Sequence, residues 1–271
     1  MNYRRLWISL SLVIIISFAI LGYYGGRIYQ VMPPIPERVL AEDGTELFTG
    51  EDIKNGQNVW QSIGGQEVGS IWGHGAYVAP DWNADWLHRE ALWILDKWGQ
   101  AEYGSDFADL NNEQKAQLQA RLKDEMRTNT YNEETKELII SNDRADAFHT
   151  LSAYYSGLFM DDPEFSELRD HYAIPIHTIK DEERMAQMNA FFFWSTWAAA
   201  TNRPGSDITY TNNWPNEKLI DNRPTGEMIV WSVVSFVMLL AGVGALAWYY
   251  AVQRHREPHV EEAYPERDPL L

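Results

Sequence analysis

Two long apolar runs stand near the ends of the chain, and a stretch of mixed polar and apolar residues separates them. The first run covers Leu6–Tyr24 and the second covers Met228–Val252. Each is long enough to cross a hydrocarbon core of about 30 Å as a helix that rises ~1.5 Å per residue. Aromatic residues mark the edges of both runs, as is typical of membrane interfaces. The pattern therefore predicts two transmembrane helices.

The first run could also be a secretory signal peptide. However, Tyr23–Arg27 offers no small-residue cleavage site, and the run is longer than a usual signal core. We therefore favour an uncleaved anchor. Basic residues flank both runs on their outer side, at Arg4 and Arg5 and at Arg254 and Arg256. The positive-inside rule then predicts that both termini are cytoplasmic and that the intervening domain is periplasmic.

These features divide the chain into four predicted parts. Residues 1–26 form a cytoplasmic tail and the first transmembrane helix, and residues 27–227 form the periplasmic domain. Residues 228–252 form the second transmembrane helix, and residues 253–271 form a cytoplasmic tail. The expected fold class is a mainly α membrane protein, in which two transmembrane helices flank an extracytoplasmic domain.

Short-range patterns in the central domain predict helices and a few short β-hairpins. A hairpin is expected around Asp43-Gly44, and a strand or hairpin over Thr130–Ser141 around Asn132-Glu133. A glycine-rich loop is expected over Gly64–Pro80. Helices are expected over 51–62, 83–98 with Asn83 as the cap, 112–128, 144–160, 163–172, and to about residue 201 from a capping box of Thr178 and Asp181. The segment Ala190–Ala200 is apolar all round but too short to span a membrane. It is therefore either a core helix or a helix that lies against the membrane or a partner.

Charge and cysteine content narrow the function further. The 271-residue chain has a net charge of −17, and nearly all of it lies between the two apolar runs. A nucleic-acid partner is therefore not expected, because phosphate binding needs basic patches. The chain contains no cysteine. It therefore has no disulfide bonds, and it cannot attach a c-type haem, which needs two thiols and an axial histidine.

Candidate catalytic chemistry is sparse. There is no HExxH, CxxC or GxSxG motif, and neither apolar run contains a histidine or an acidic residue. The histidines of the central domain are expected to be ordinary hydrogen-bonded or surface residues: His74, His88, His149, His171 and His177. From its residues alone, the chain is a membrane-tethered domain without a redox centre or catalytic residues of its own.

One segment resembles a known family. In the cytochrome c subunit of nitric oxide reductases, a helix with the pattern G-x-x-V-W leads to CxxCH and then to G-E-G-A-Y-x-A-P-E. Here Gly56, Val59 and Trp60 match the start of that pattern, and Gly73–Asp81 matches its end. Counted from Trp60, the two cysteines and the histidine of the family fall at Gly65, Val68 and Gly69. All three are replaced without a change in length.

The single-chain, quinol-dependent nitric oxide reductases carry such a haemless cytochrome c-like region at their N-terminus, and this chain resembles that region closely. The resemblance covers essentially the whole chain through the second apolar run, and the similar segments are Trp60–Trp82, Ala84–Glu90, Phe191–Trp194, Thr201–Gly205 and Tyr210–Pro215. The resemblance implies a haemless cytochrome c-like domain in a bacterial inner (cytoplasmic) membrane protein. It also implies a role in the reduction of nitric oxide to nitrous oxide.

The resemblance also implies a partner. Those enzymes continue into a bundle of the haem–copper oxidase type, with two b-type haems and a non-haem iron, and the sequence here contains none of it. We therefore expect a non-catalytic subunit or N-terminal portion that caps and stabilises a catalytic bundle, with haem b and non-haem iron only on that partner chain. The alternatives are a truncated chain, an inactive remnant, or an autonomous membrane-anchored periplasmic protein that binds or senses a ligand.

A shared calcium ion is implied at one place. In the cytochrome-containing relatives, backbone carbonyl groups of the G-x-G-A-Y loop help to bind calcium at the interface with the catalytic subunit. The matching positions here are Gly75 and Tyr77. Oxygen ligands suit a hard cation, but the remaining ligands would come from the partner. A tight loop that packs on the partner without a metal is the alternative.

Overall fold

A computed structural model describes residues 3–256 of the chain. Within these residues, eight α-helices and four short strands form: α1 (Tyr3–Val31), β1 (Arg38–Ala41), β2 (Glu46–Thr49), α2 (Gly50–Ser62), α3 (Trp82–Tyr103), α4 (Asn112–Arg127), β3 (Tyr131–Asn132), β4 (Glu137–Ile140), α5 (Asn142–Phe159), α6 (Ser166–Tyr172), α7 (Glu182–Ala200) and α8 (Gly226–Arg256). The mostly helical fold with a small sheet is confirmed. The predicted tail at residues 253–271 lies outside the described residues from position 257 onward.

Both apolar runs are helical over more residues than the runs themselves. The segments Trp7–Val31 and Gly226–Arg254 are long and apolar enough to cross a membrane, and neither is buried within the structure. A helix whose whole surface is apolar needs an apolar environment. The two helices therefore fit a membrane protein.

The two predicted hairpins form as expected, but they are not separate. Strands β1 and β2 pair antiparallel, and so do β3 and β4. Strands β1 and β4 then pair in parallel, with Arg38 opposite Glu137, so that one sheet has the order β2-β1-β4-β3. The side chains of Arg38 and Glu137 form an ion pair across this junction. The junction joins segments that are far apart in sequence.

Two predicted helix starts were wrong. Helix α3 is capped by Asp81, whose side chain accepts a hydrogen bond from the Ala84 amide, whereas Asn83 lies buried inside the helix. Helix α7 is capped by Asp181, which accepts bonds from the amides of the next turn. The Thr178 hydroxyl instead donates to the carbonyl of Pro175, so it does not complete a capping box. In both cases a good capping residue type stood at the wrong distance from the helix.

Helix α7 is the central core helix of the domain. Every residue from Met188 to Ala200 is buried, which confirms the core interpretation of its apolar second half. Helix α2 crosses it closely at Gly56, where an added Cβ would lie 1.9 Å from the carbonyl oxygen of Gln187. The narrow apolar stripe on the polar helix α4 is buried against α3 in a second apolar cluster. Helix α7 packs against both α2 and α3, and these two helices flank the candidate site.

Candidate functional site

The segment Gly65–Gly69 turns toward the interior of the domain. Residues Gly65–Val68 form one short 3₁₀ turn, and Gly69 follows with φ of 126°, in the region that favours glycine. A Cβ added at Gly69 would lie 2.2 Å from Nε1 of Trp82. The position that the resemblance assigns to the haem-binding histidine therefore has no room for a side chain.

Two buried tryptophans fix this segment. The Trp60 indole N–H donates to the carbonyl of Gly69 over 3.1 Å, and the Trp82 indole N–H donates to the carbonyl of Val68 over 3.0 Å. Both rings are buried. Buried indole groups of this kind are costly to leave unpaired. The segment is thus held by aromatic packing where a cytochrome would hold it by covalent haem, and the residues present do not fit that group.

Aromatic side chains fill the space behind Trp82. The Trp82 ring stacks on Phe192 with ring centroids 5.9 Å apart, and the Trp86 ring stacks on Tyr155 at 5.0 Å with the planes nearly parallel. The Tyr155 hydroxyl donates to the Asp85 carboxylate over 2.7 Å. Burial, followed by the neighbouring Asp85 charge, raises the pKa of Tyr155 well above its ordinary value. Tyr155 therefore stays protonated and keeps donating to Asp85.

The next segment, Gly73–Asp81, extends toward the surface of the domain, and we call it the Tyr77 loop. Asp81 organises its base: one carboxylate oxygen accepts from the Ser70 hydroxyl at 2.7 Å and from the Gly73 amide at 2.6 Å. The other oxygen accepts from the Ala84 amide at 3.0 Å. Burial raises the pKa of Asp81, and these three hydrogen bonds oppose that shift. Asp81 therefore joins the loop to the start of α3.

Further hydrogen bonds hold the arms of the loop. The Gly75 amide donates to the Ser70 hydroxyl oxygen over 2.8 Å, and the Ala76 amide donates to the carbonyl of Ala79 over 2.9 Å. From a distant part of the chain, the Trp214 indole donates to the Gly73 carbonyl over 2.8 Å. The same indole packs edge-on against His74, with ring centroids 4.6 Å apart. The loop conformation is thus fixed from both of its sides.

The tip of the Tyr77 loop is exposed. The Tyr77 side chain has a relative exposure of 102%, and Val78 beside it has 43%. A fixed backbone that presents an exposed aromatic side chain is typical of a protein–protein contact, in which tyrosine is enriched. The loop can therefore supply a pre-organised anchor to a partner.

The predicted calcium ligands lie in this loop. Gly75 has φ of 86°, and a Cβ added there would lie 2.9 Å from the carbonyl of Ala79, so the tight turn needs glycine. Within residues 3–256, no group of three or more His, Cys, Asp or Glu side chains could hold a metal ion. Backbone carbonyls of Gly75 and Tyr77 are suitable oxygen ligands, but they do not make a complete site. A complete calcium site would need further oxygen ligands besides these two carbonyls.

The histidines of the domain have protein neighbours. The His88 Nδ1 lies 2.9 Å from a Glu217 carboxylate oxygen, and the His177 ring pairs with Asp161. His74 packs on Trp214, as described above. None of these contacts brings two histidines together among the described residues.

Sequence patterns alone missed the Asp81–Ser70 bond and the role of Trp214, which is 141 positions from Gly73.

Comparison with known proteins adds one finding. The family of NorB cytochrome c-like domains, which are domains of nitric oxide reductases, matches residues 36–216, about two thirds of the 271-residue chain. The match begins just before β1 and ends before α8, so it covers the central domain that contains the Tyr77 loop. No curated protein matches the chain.

Proposed function

We propose a function that starts from family membership: this chain belongs to the family of NorB cytochrome c-like domains of nitric oxide reductases. In our proposal it is a non-catalytic part of a quinol-dependent nitric oxide reductase. It caps and stabilises a catalytic bundle of the haem–copper oxidase type on a partner chain. The assembled enzyme converts two NO, two electrons from quinol and two protons into N2O and water.

The observation that carries this proposal is the contrast between the two glycine-rich segments. The interior segment, Gly65–Gly69, is closed by Trp60 and Trp82, so the domain has no place for a covalent haem. The Tyr77 loop is held rigidly and exposes its aromatic tip. A domain that cannot carry electrons on a haem but retains a fixed exposed loop is suited to structural contact. Electrons would then reach the catalytic bundle from quinol within the membrane.

In this arrangement the chain is anchored by α1 and α8, with both termini in the cytoplasm and the central domain in the periplasm of a bacterial inner membrane. Calcium would bind at the partner interface, with carbonyl ligands from Gly75 and Tyr77. The support is the family, the two apolar helices and the tight turn at Gly75. The ion would supply positive charge between the loop and acidic groups of the partner.

Co-purification tests the proposal. The chain is expressed with a haem–copper-oxidase-type bundle that lacks such a domain, and a tag on this chain is used to isolate the complex. We expect b-type haem absorbance in the isolated material and NO consumption that depends on added quinol. The bundle expressed alone should lose haem or activity. If the bundle keeps full haem content and turnover without this chain, a capping and stabilising role is wrong.

A second experiment tests the orientation. Because the chain has no cysteine, one cysteine can be introduced without background at exposed Glu183 of the central domain. We expect a membrane-impermeant maleimide to label this site in intact spheroplasts. Labelling only after the membrane is broken would place the domain in the cytoplasm and contradict the proposed topology.

A further inference from the structure

A polar cleft of about 780 Å³ opens between the end of α4 and the loop that follows α7. Its lining residues all come from residues 123–133 and 202–223. Four basic residues line it: Lys123, Arg127, Arg203 and Arg223. The whole chain has only 22 Lys and Arg against 39 Asp and Glu. Four basic residues on one cleft are therefore a large share of the cations of so acidic a protein.

Arg127 is a buried cation without a carboxylate partner among the described residues. Its relative exposure is 8%. Its Nη1 donates to the Asn222 side-chain oxygen at 3.1 Å, and more weakly to the Asp221 carbonyl. Its Nη2 donates to the Asp207 carbonyl at 2.7 Å and to the Asn213 side-chain oxygen at 3.2 Å. Burial lowers the pKa of Arg127. These neutral oxygens satisfy its donors and fix the loop around it, while the nearby Asp221 and Asp207 charges favour its charged form without forming an ion pair with it.

Arg203 is the second such cation, and it has spare donors. Its Nη2 donates to the Tyr210 carbonyl at 2.9 Å and to the Asn212 side-chain oxygen at 3.0 Å. Its Nε is buried and has no hydrogen-bond partner, and none of the described carboxylates lies within ion-pair distance. Burial lowers the pKa of Arg203. A half-buried guanidinium in this state gains most from an anion that accepts two hydrogen bonds at once.

Carboxylates also line the cleft, so net charge alone does not make it a site for anions. Asp221 is already engaged by Lys123 at 2.9 Å and by Arg223 at 2.8 Å. The other three are exposed to solvent and form no ion pair with Arg127 or Arg203 within the described part of the chain: Asp124, Glu133 and Asp207. Solvent screens exposed charges strongly. Neither guanidinium is therefore held in an ion pair among the described residues, and Arg203 is the one on which no carboxylate charge acts strongly.

A hydroxyl group stands on the same cleft wall. Ser206 lines the cleft, and its oxygen accepts a bond from the Ile208 amide at 3.1 Å. Its own hydrogen is thus available to a ligand.

We propose that this cleft binds a phosphoryl oxyanion, with Arg203 and Ser206 as its donors and Arg127 as the residue that positions the loop and supplies charge. A tetrahedral oxyanion can accept from a guanidinium and a hydroxyl at the same time.

Two sources offer this chemistry: free inorganic phosphate and the headgroup of an anionic lipid. The second source is suggested by the chain itself, because Arg223 stands three positions before Gly226, where the apolar helix α8 begins. The lipid source rests on the membrane anchoring proposed above. The phosphate source does not, so a failure of one proposal can be told apart from a failure of the other.

The full chain is purified in maltoside micelles, which contain no phosphoryl group, and titrated by calorimetry in two arms at matched ionic strength. One arm adds inorganic phosphate, and the other adds short-chain phosphatidylglycerol. We expect saturable binding in at least one arm and an affinity about tenfold or more weaker in Arg203→Gln. Tighter binding of the lipid would assign the headgroup as the ligand. Equal or weaker binding of the lipid would assign free phosphate.

The matched control is Arg184→Gln, which removes an exposed arginine of α7 that lies outside the cleft and donates to Ser62. It should leave both affinities unchanged. Ser206→Ala is a second variant at an exposed position, and it should weaken binding severalfold even if Arg203→Gln does not fold. Absence of saturable binding in both arms would overturn the proposal. So would binding that is equal in the wild type, Arg203→Gln and Ser206→Ala.

Discussion

Two neighbouring glycine-rich segments of this domain have opposite structural roles. Gly65–Gly69 points into the core and is held by the indoles of Trp60 and Trp82. The Tyr77 loop begins four residues later and is held from its base, so that its tip is free. The resemblance to cytochrome-containing relatives runs through both. The difference teaches that aromatic packing closes the inward segment, whereas hydrogen bonds at its base fix the outward loop and leave its tip exposed.

The largest effect is expected from a substitution that disrupts the inward segment, Gly65–Gly69. Gly69→Ala would place a Cβ 2.2 Å from the Trp82 indole nitrogen and 2.9 Å from the Pro80 carbonyl, at φ of 126°. Overpacking and backbone strain should together lower the free energy of unfolding by about 3 kcal/mol or more. Thermal unfolding of the purified chain measures this loss.

Gly65→Ala is the matched control for that substitution. Gly65 also has a positive φ, of 55°, but nothing lies within 4 Å of an added Cβ. It should therefore cost only about 1–2 kcal/mol, the strain of a left-handed residue. Equal losses for the two variants would show that contact with Trp82 does not hold the segment.

The second prediction acts on the outward loop. Tyr77→Ala should leave the stability of the isolated chain within about 0.5 kcal/mol, because an exposed side chain is removed. It should weaken association with the catalytic chain by about 2 kcal/mol, as expected for an aromatic anchor. Binding is measured by titrating this chain onto the catalytic bundle in micelles. Substitution of a partly exposed aromatic residue outside the loop, Tyr103→Ala, should not affect binding.

The third prediction sharpens the contrast by loosening the loop without touching its tip. Trp214→Phe removes the hydrogen bond to the Gly73 carbonyl and should cost about 1 kcal/mol. Hydrogen exchange at Gly75 and Ala76 should accelerate, because the arm of the loop opens more often. Trp93→Phe, at a partly exposed position of α3, serves as the control. Unchanged exchange in Trp214→Phe would mean that the loop is fixed by Asp81 and by its own hydrogen bonds at Gly75 and Ala76, without Trp214.

The smallest effect concerns pH. Burial raises the pKa of Asp81 above its ordinary value of 3.8, although hydrogen bonds from the Ser70 hydroxyl and from neighbouring backbone amides oppose the shift. A raised pKa in the folded state means that the folded chain holds this proton more tightly than the unfolded chain. The resulting stability is fully present below 3.8 and is lost as pH rises through the folded pKa.

Paired thermal unfolding of wild type and Asp81→Asn from about pH 3.5 to about pH 6 checks this sign. The free energy of unfolding of the wild type, relative to that of the variant, should fall as pH rises, by less than about 1 kcal/mol. A relative stability that rises with pH would show that the hydrogen bonds to Asp81 outweigh burial, and that Asp81 holds the loop as a carboxylate anion.

Patterns along the chain predicted the local elements well. Helix α4 (Asn112–Arg127) forms where the pattern predicted a helix over 112–128, and Leu118, Leu122 and Met126 form its buried face. The apolar segments of α7 and α8 were told apart by length alone, since only α8 is long enough to cross a membrane. The positions Gly65, Val68 and Gly69 were marked as altered haem-attachment positions by the family resemblance, counted from Trp60.

Non-local contacts could not be predicted in this way. The parallel pairing of β1 with β4 joins two hairpins through backbone groups that carry no sequence signature. Capping residues also compete: Asp81 and Asn83 are both good caps, but Asp81 caps α3, whereas the buried Asn83 side chain accepts from the Trp72 amide instead. The bond from Trp214 to Gly73 depends on how the loop after α7 returns across the domain.

The most direct test places a photo-reactive amino acid at position 77 of this chain and, in a separate sample, at exposed position 183 on the first turn of α7. Each version is co-expressed with the catalytic bundle and irradiated in native membranes. We expect position 77 to cross-link to the haem-containing chain and position 183 not to do so. Cross-linking from position 183 with none from position 77 would contradict the assignment of the Tyr77 loop as the interface.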